Sequence, residues 1–486
     1  MLMEKIRDQA QATPHKPAFV YNGSACSYAE FAQRIEQARD FFAQQQWPAA
    51  SVVVLCMEQL AQAWVLGIAL RHLGLTTVAV GKADEIGPLG LDNISGLLTW
   101  APENPPDLTE LATRCTCRWL NLPAIIGLTT VPTEPTRPGT AAHPGGHIIQ
   151  TSGTTGAYKK ILRDALAEAS TLDLHAQING INAESVVYVR DFPLWTAGGY
   201  RWPLLTWHQG ATVVFQQGQD FHLPLLEQAL THVFATPMTL MFVHHAPELP
   251  VRRNEAMRLL VTGGAMPRAL VTALKQRLTP QVYAVLASTE ALTVGATLIE
   301  NLDDLGWHRI HPARQLQVVN DAEQPLPAGQ IGLLRVKILD GVCGYLNDVQ
   351  ASRAFFRDGY FYPGDLAMFH ADGRLALCGR ITDVINVLGS KIATAPIEAA
   401  LQNQLAVDAV CLLSLPTPGA DEEVFVAVES QRNLTQAELQ AAAQALLKHL
   451  GRVHFHLFRQ LPRNRMGKVQ RLALRQQLLA RLANAA

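Results

Sequence analysis

A run of small and hydroxyl residues followed by cations is the part of this chain best suited to bind phosphate. It directly follows a short apolar stretch, His147–Ile149, which is typical of a buried strand. Glycine lets a backbone turn sharply and bring its N–H groups close to a polyphosphate, hydroxyls add donors, and lysine neutralises charge. This pattern indicates ATP, although Gly/Ser/Thr runs are equally typical of solvated loops. The candidate residues are Thr151, Ser152, Gly153, Thr154, Thr155, Gly156 and Lys159.

The run does not follow the common nucleotide-binding patterns. No Gly-Lys-Ser/Thr triplet closes it, and no GxGxxG follows a strand, which disfavours P-loop kinases and Rossmann dehydrogenases. The segment instead resembles the phosphate-binding signature of the adenylate-forming superfamily, which includes acyl-CoA synthetases, peptide-synthetase adenylation domains and luciferases. Lys159 falls on the lysine of that signature, whereas Tyr158 replaces its proline.

Four further signatures of this superfamily follow in order along the chain. Ser288-Thr289-Glu290 resembles the motif whose glutamate reaches Mg²⁺, and Asp365 lies in a segment that resembles the ribose-binding motif. Arg380 belongs to a segment similar to the hinge motif, and Lys468 to one similar to the C-terminal motif that carries the adenylation lysine. Five ordered partial matches are much stronger evidence than any single motif.

The resemblance implies a chemistry for these residues. A substrate carboxylate attacks the α-phosphorus of ATP, and cations must stabilise the charge that builds up as pyrophosphate leaves. The resemblance assigns the catalytic roles to Lys468, Glu290 and Thr289, with Glu290 also holding Mg²⁺. Taken alone, Lys468 is more simply explained as a solvated surface lysine, and Glu290 as a helix cap.

The substrate and adenine sites are expected from two other segments. Gly263, Gly264 and Ala265 resemble the adenine-binding turn of the superfamily, and Leu286 replaces its usual stacking tyrosine, which predicts weaker ATP binding. Peptide-synthetase domains of the resembled superfamily keep an aspartate for the α-ammonium of their amino acid, but no counter-charge is evident at its estimated place near Ala197. The resemblance therefore implies a carboxylic acid without an α-amine, and we expect an aromatic one. Trp195 and Tyr200 are equally typical of core aromatics. The candidate substrate-binding residues are Trp195, Gly198, Gly199, Tyr200, Ala287 and Ser288.

Composition is typical of a large enzyme acting on small molecules. The 486 residues carry 40 basic and 41 acidic side chains, which disfavours nucleic acid or an anionic membrane as a partner. The longest apolar window is too short to span a bilayer, and the charged N-terminus lacks a signal-peptide pattern. Seven scattered cysteines argue against a disulfide framework. From these features we expect a cytoplasmic enzyme.

The apolar pattern predicts an α/β fold. Ser27 and Glu30 form a capping-box pattern before a helix to Phe42, and the strand-like segments Val52–Cys56 and Thr76–Val80 flank another helical segment. The same alternation is expected for residues 186–214, 233–261 and 282–297, and the Pro/Thr-rich residues 102–145 are expected to wind over the surface. We expect a large N-terminal core domain of parallel-type sheets flanked by helices, residues 1–378, and a small mobile α+β lid domain, residues 379–486.

Three functions stay open at this point. The first is an acid–thiol ligase that makes acyl-AMP and passes the acyl group to coenzyme A or to the phosphopantetheine of an acyl carrier protein. The second stops at the adenylate or uses a non-thiol acceptor, because Thr382 and Asn386 depart from the hinge motif. The third is a degenerate, non-catalytic relative that binds a carboxylic ligand. We favour the first, as a stand-alone enzyme of secondary-metabolite or antibiotic biosynthesis acting on an aryl acid of the phenazine type.

Overall fold

A computed structural model describes most of the chain. The described residues are 2–101, 106–122, 145–151, 158–190, 192–218, 220–381, 383–387, 390–417, 420–448, 450, 452–463 and 469–485. Fifteen helices within them are α1 Leu2–Ala12, α2 Tyr28–Ala43, α3 Leu60–His72, α4 Thr109–Arg114, α5 Ala165–Ala169, α6 Leu172–Asn179, α7 Ala197–His208, α8 Leu223–Glu227, α9 Pro237–Leu240, α10 Phe242–His245, α11 Arg268–Arg277, α12 Val349–Phe355, α13 Thr394–Leu405, α14 Gln436–Leu446 and α15 Arg471–Ala485.

Two sheets with mostly parallel strands form the centre of the fold. The eight-stranded sheet has the order β14-β13-β12-β11-β9-β10-β1-β2, and the six-stranded sheet has the order β6-β5-β3-β4-β7-β8. Their strands are β1 Pro17–Tyr21, β2 Ser24–Ser27, β3 Val52–Cys56, β4 Thr76–Val80, β5 Ile94–Thr99, β6 Arg118–Asn121, β7 His147–Thr151, β8 Lys159–Arg163, β9 Val186–Val189, β10 Thr212–Phe215, β11 His232–Ala235, β12 Arg258–Val261, β13 Val282–Ser288 and β14 Leu292–Leu298.

Several of the central strands are buried along their whole length, as is typical of parallel sheets covered on both faces by helices. Every residue of Val52–Cys56 is buried, as expected for a strand covered on both faces by helices. This strand pairs in parallel with Thr76–Val80, so the predicted strand–helix–strand unit is confirmed. The capping box is confirmed as well, because the side chain of Ser27 accepts from the backbone N–H of Glu30 and the Glu30 carboxylate accepts from that of Ser27.

The remaining strands form smaller, largely antiparallel sheets. A seven-stranded sheet contains β15 Trp307–His308, β16 Leu316–Val319, β17 Gly332–Lys337, β18 Phe356–Arg357, β19 Tyr360–Phe361, β20 Asp365–Phe369 and β21 Leu375–Arg380. A two-stranded hairpin and a three-stranded sheet follow. They contain β22 Val384–Val387, β23 Ser390–Ala393, β24 Ala409–Thr417, β25 Ala420–Glu429 and β26 Val453–Phe458.

One expectation about an individual segment was wrong. Residues 282–298 form an antiparallel hairpin, β13–β14, and not a strand–helix–strand unit. Of the Pro/Thr-rich stretch 102–145, the structure describes residues 106–122 and 145; they contain helix α4 and strand β6, which extends the six-stranded sheet in parallel beside β5. No described helix combines the length and apolarity that a membrane crossing requires.

The buried clusters separate near the predicted domain boundary. Four clusters contain no buried residue beyond Leu375, whereas two others begin at Ile385 and Cys411 and contain only later residues. Each domain of a protein has a core of its own. We therefore propose residues 1–378 and 379–486 as the two domains.

Candidate active site

The predicted phosphate-binding segment is closed at its base by a strand pair. Thr151 ends β7 and lies directly opposite Lys159, which begins the antiparallel strand β8. Both residues therefore lie at the same end of the six-stranded sheet. The other predicted phosphate-binding residues lie outside the described part of the chain, as does the predicted adenylation lysine. They are Ser152, Gly153, Thr154, Thr155, Gly156 and Lys468.

Glu290 lies in the turn between β13 and β14, and it is held by a tyrosine that sequence reasoning did not single out. The Tyr345 hydroxyl donates to Glu290 Oε1 at 2.7 Å, and both residues are buried. The pKa of Tyr345 is raised, first because burial disfavours the phenolate and then because Glu290 adds negative charge. Tyr345 therefore remains protonated and serves as the donor, which leaves Oε2 of Glu290 for a cation.

Lys159, at the start of β8 in the six-stranded sheet, extends its side chain to Tyr345. Its Nζ lies 3.6 Å from the ring centroid of Phe355 and 4.8 Å from that of Tyr345. The pKa of Lys159 is lowered, first because burial disfavours the ammonium and also because Arg380 is near, while Glu290 and Asp348 oppose this effect. A cation, two carboxylates and an aromatic wall thus converge on one volume.

The predicted ribose and hinge residues are paired with each other. Asp365 and Arg380 lie opposite each other on the antiparallel strands β20 and β21, and Arg380 Nε donates to Asp365 Oδ1 at 3.1 Å. Gly364, immediately before Asp365, has a φ of +78°. This left-handed conformation is readily adopted by glycine and turns the chain into β20. Arg380 is also close enough to Tyr345 and Lys159 to influence both pKa values.

The predicted adenine turn is exposed at the carboxyl end of β12. Gly263 has a φ of +91°, and a side chain added at Gly264 would meet only Pro237 Cγ at 3.8 Å within 4 Å. Ala265 is exposed as well. The adjacent Thr262 donates from Oγ1 to the carbonyl of Val285 at 3.3 Å, which ties the turn to β13. This end of the sheet therefore leaves open space beside the strand that leads to Glu290.

Trp195 and Ala287 lie at the margin of the same hydrophobic cluster. The Trp195 carbonyl accepts from the backbone N–H of Gln150 at 2.9 Å, one residue before Thr151. The indole covers Gly81, where an added Cβ would lie 2.9 Å from the ring. Next to Ala287, Ser288 accepts from the N–H of Ala291 through Oγ at 2.9 Å and so stabilises the turn that carries Glu290.

Three of the predicted substrate residues have structural surroundings that explain them without a ligand. Tyr200 is 1% exposed, donates to Glu168 Oε2 at 2.7 Å and accepts from an arginine. A Cβ at Gly199 would lie 2.1 Å from the Pro193 carbonyl oxygen, and one at Gly198 would lie 2.3 Å from the ring of Phe192. The two glycines therefore permit close packing at the start of α7, and Tyr200 lies in the core.

Two buried arginines hold the turn that carries Glu290, and the sequence search missed both. Arg163 Nη2 donates to the carbonyls of Thr289 and Glu290, the latter at 3.1 Å, and Arg314 Nη2 donates to that of Ala291 at 2.6 Å. Arg163 is paired with Asp340. A weak signal was present, since Arg163 shares the inward face of β8 with the buried Ile161, where a charged residue is unexpected.

The arrangement fits a nucleoside triphosphate with a divalent cation. Glu290 offers a carboxylate oxygen in a largely dry position, Lys159 supplies the positive charge that phosphate requires, and Asp365 offers a carboxylate for ribose hydroxyls. No group of three or more His, Cys, Asp or Glu side chains suited to a metal occurs among the described residues.

Comparison with known proteins identifies the family. Residues 117–346, which contain Lys159 and Glu290, match the family described as AMP-binding enzyme. The chain therefore contains an AMP-binding enzyme domain. The adenylate-forming superfamily expected from the motifs is thereby confirmed, together with the α/β fold.

Several known proteins are similar to this chain over almost its whole length. The chain is 24% identical to the vibriobactin-specific 2,3-dihydroxybenzoate-AMP ligase of Vibrio cholerae, over 98% of this chain and 93% of that protein. The amide bond synthetase McbA from Marinactinospora thermotolerans is similar in fold, with a TM-score of 0.82 at 19% identity over 98% of this chain and 100% of that one. The o-succinylbenzoate CoA synthetase MenE from Bacillus subtilis, in complex with its acyl-adenylate intermediate, has a TM-score of 0.80 at 19% identity over 98% and 97% of the two chains.

Proposed function

We propose that this enzyme activates a carboxylic acid with ATP, forming acyl-AMP and releasing pyrophosphate. The observation that carries the proposal is the convergence of Lys159 and Glu290 on Tyr345, together with the pairing of Asp365 with Arg380. These residues come from separate sheets, so their meeting is a property of the fold and not of one local motif. Two of the described relatives are named for the AMP-linked activation of an acid, which supports the same reaction.

The described side chains divide the work of binding ATP. Asp365 accepts hydrogen bonds from the ribose hydroxyls, and Lys159 neutralises charge on the phosphates. Glu290 holds Mg²⁺ through the oxygen that Tyr345 does not engage. When bound, Mg²⁺ supplies the charge neutralisation that lets pyrophosphate leave. Lys468, which lies outside the described residues, is proposed to bridge the α-phosphate and the substrate carboxylate.

The proposed acid is aromatic and lies between Trp195 and the Ala287–Ser288 end of β13. Both Trp195 and Ala287 border one hydrophobic cluster, and the Vibrio cholerae relative is named for an aryl acid, 2,3-dihydroxybenzoate. Its vibriobactin-specific name also supports a role in secondary metabolism. Amino acids nevertheless belong in any substrate panel, because an aspartate could serve as the counter-charge for an α-ammonium. Asp191, which lies outside the described residues, immediately precedes Phe192, whose ring packs against Gly198.

The proposed acceptor is a thiol, either coenzyme A or the phosphopantetheine of a carrier protein. The o-succinylbenzoate CoA synthetase, whose fold is similar, supports this choice by its name. An amine acceptor is the second candidate, because the amide bond synthetase covers the chain with the same fold. Incubation of the adenylated acid with coenzyme A, a carrier protein and simple amines, each followed by mass spectrometry, distinguishes the two.

Acid-dependent exchange of labelled pyrophosphate into ATP tests the proposal. A panel of aryl, fatty and amino acids is compared for the wild type, Lys468→Ala and the control Lys448→Ala, whose lysine is exposed at the end of α14. We expect exchange with aryl acids in the wild type and the control, and its loss in Lys468→Ala. Absence of exchange with every acid, despite measurable binding of one, would support the non-catalytic alternative.

A further inference from the structure

A cluster of buried charged side chains lies behind the turn that carries Glu290. It contains Arg163, Arg201 and Arg314, which are 1%, 4% and 5% exposed, and Glu168 and Asp340, which are 3% and 7% exposed. Arg201 lies close enough to Arg163 and Arg314 for their charges to interact. Burial of a charge is costly unless a partner of opposite sign compensates it. The balance of charge within the cluster is therefore informative.

The positive charges exceed the negative ones. Arg163 is paired with Asp340, and Arg201 Nη1 lies 2.8 Å from Glu168 Oε1. Arg314 has no carboxylate partner among the described residues, and its Nη2 donates to a backbone carbonyl. The pKa of Arg314 is lowered to about 10, first because of burial, while Asp340 opposes this effect. Three arginines face two carboxylates, which leaves one buried positive charge uncompensated.

Unpartnered hydrogen-bond donors show the same imbalance. Nε and Nη1 of Arg314, Nε of Arg163 and Nε of Arg201 are buried without a hydrogen-bond partner. Nε2 of the fully buried His175 has none either, and its Nδ1 accepts from Arg201 at 2.8 Å, which places the ring proton on Nε2. An unpartnered acceptor, Asn179 Oδ1, lies one helical turn after His175 on α6.

We propose that this cluster is a binding site for a small monovalent inorganic anion, such as chloride. An anion accepts hydrogen bonds from several N–H groups at once and compensates the unpaired charge of Arg314. A divalent anion would overcompensate a single positive charge. An organic acid is disfavoured, because no donor residue of the site is more than 5% exposed.

The anion has a consequence for the active site. Arg163 and Arg314 hold three successive carbonyls, those of Thr289, Glu290 and Ala291. Compensating the charge of these arginines stabilises them in the positions that fix the turn, and so fixes the carboxylate of Glu290. This consequence rests on the proposed function, whereas the anion site itself does not.

The site is tested directly by crystals of the full chain grown in bromide, with diffraction data collected at the bromine absorption edge. We expect an anomalous peak within hydrogen-bonding distance of Arg314 and His175 Nε2. Water-like density there without an anomalous peak would overturn the proposal, because ordered water alone would then satisfy the donors. This experiment needs no variant and no catalytic activity.

Thermal unfolding at fixed ionic strength tests the site in solution, with chloride or bromide replacing gluconate. We expect Tm to rise by roughly 1 °C for each tenfold increase of the halide above its Kd. Arg314→Gln should lose this dependence, whereas Arg309→Gln, at an exposed position in the same segment, should keep it. An equal response to gluconate, or an unchanged response of Arg314→Gln, would contradict the proposal. If Arg314→Gln does not fold, the bromide crystals decide. A protein inactive on every acid but with a halide site would refute only the proposed function.

Discussion

Breaking the buried Arg163–Asp340 pair should cost far more stability than breaking an exposed one. Both side chains are almost completely buried, so Asp340→Asn leaves a buried guanidinium without its counter-charge. Removal of one partner of such a pair typically costs about 3–5 kcal/mol of unfolding free energy. The loss should be near the upper end, because Asp340 also stabilises the charge of the nearby Arg314.

A double-mutant cycle separates the effect of the Arg163–Asp340 charge pair from that of the hydrogen bonds that Arg163 donates to the carbonyls of the Glu290 turn. The double variant Arg163→Met/Asp340→Leu removes both charges together, and replacement of a buried pair by apolar residues is often close to neutral. It still loses the hydrogen bonds from Arg163 to two carbonyls, each worth about 1 kcal/mol. We therefore expect the double variant to be more stable than Asp340→Asn, yet impaired in pyrophosphate exchange because the Glu290 turn is loosened.

Urea unfolding at constant pH measures these differences, with Asp303→Asn as the matched control. Asp303 forms an exposed pair with Arg268 at 3.3 Å, in which the carboxylate side chain is 92% exposed. Exposed pairs contribute about 0.2–1 kcal/mol. A loss below about 1 kcal/mol for Asp340→Asn would refute the reasoning, and so would losses of Arg163→Met and Asp340→Leu that add strictly to that of the double variant.

Three further predictions concern the active site. Tyr345→Phe removes the donor to the Glu290 carboxylate while keeping the aromatic contact of Lys159, so unfolding free energy in urea should fall by about 1.5–3 kcal/mol; an equal loss in Tyr360→Phe would contradict this. The lowered pKa of Lys159 means that its ammonium loses charge early as pH rises, so kcat/KM for ATP should decline in the alkaline range, and Lys159→Arg should shift that decline to higher pH; an unshifted profile would assign the decline to another group. Asp365→Ala should raise the Kd for ATP about tenfold or more, since a charge-assisted hydrogen bond to the ribose is lost, and 2′-deoxy-ATP should lose less than ATP; equal losses would show that Asp365 does not bind this hydroxyl.

Local signals in the sequence predicted much of the fold. The capping box of Ser27 and Glu30 depends on residues three apart, and the buried run Val52–Cys56 needs no knowledge of its partner strand. The β13–β14 hairpin was missed because its turn contains no glycine or Asn-Gly pair, and the positive φ of +62° falls on Leu292. Nothing in the residue types marks a leucine for that conformation.

The candidate site was predictable only for residues that lie within recognisable sequence motifs. Lys159, Glu290, Asp365 and Arg380 were found by position in the sequence, and the structure brings them together. Tyr345 was not found, because its partner Glu290 is distant along the chain and an isolated tyrosine carries no signal. The buried arginines were missed for a related reason, since charged residues are expected at the surface unless a partner is known.

The most direct test of acid adenylation follows one oxygen atom. The best acid of the panel, labelled with oxygen-18 in its carboxylate, is converted with ATP and an acceptor, and the nucleotide products are examined by mass spectrometry. Attack of the carboxylate on the α-phosphorus predicts AMP that carries one labelled oxygen, together with unlabelled pyrophosphate. Label in inorganic phosphate accompanied by ADP would show attack on the γ-phosphorus and would contradict the account.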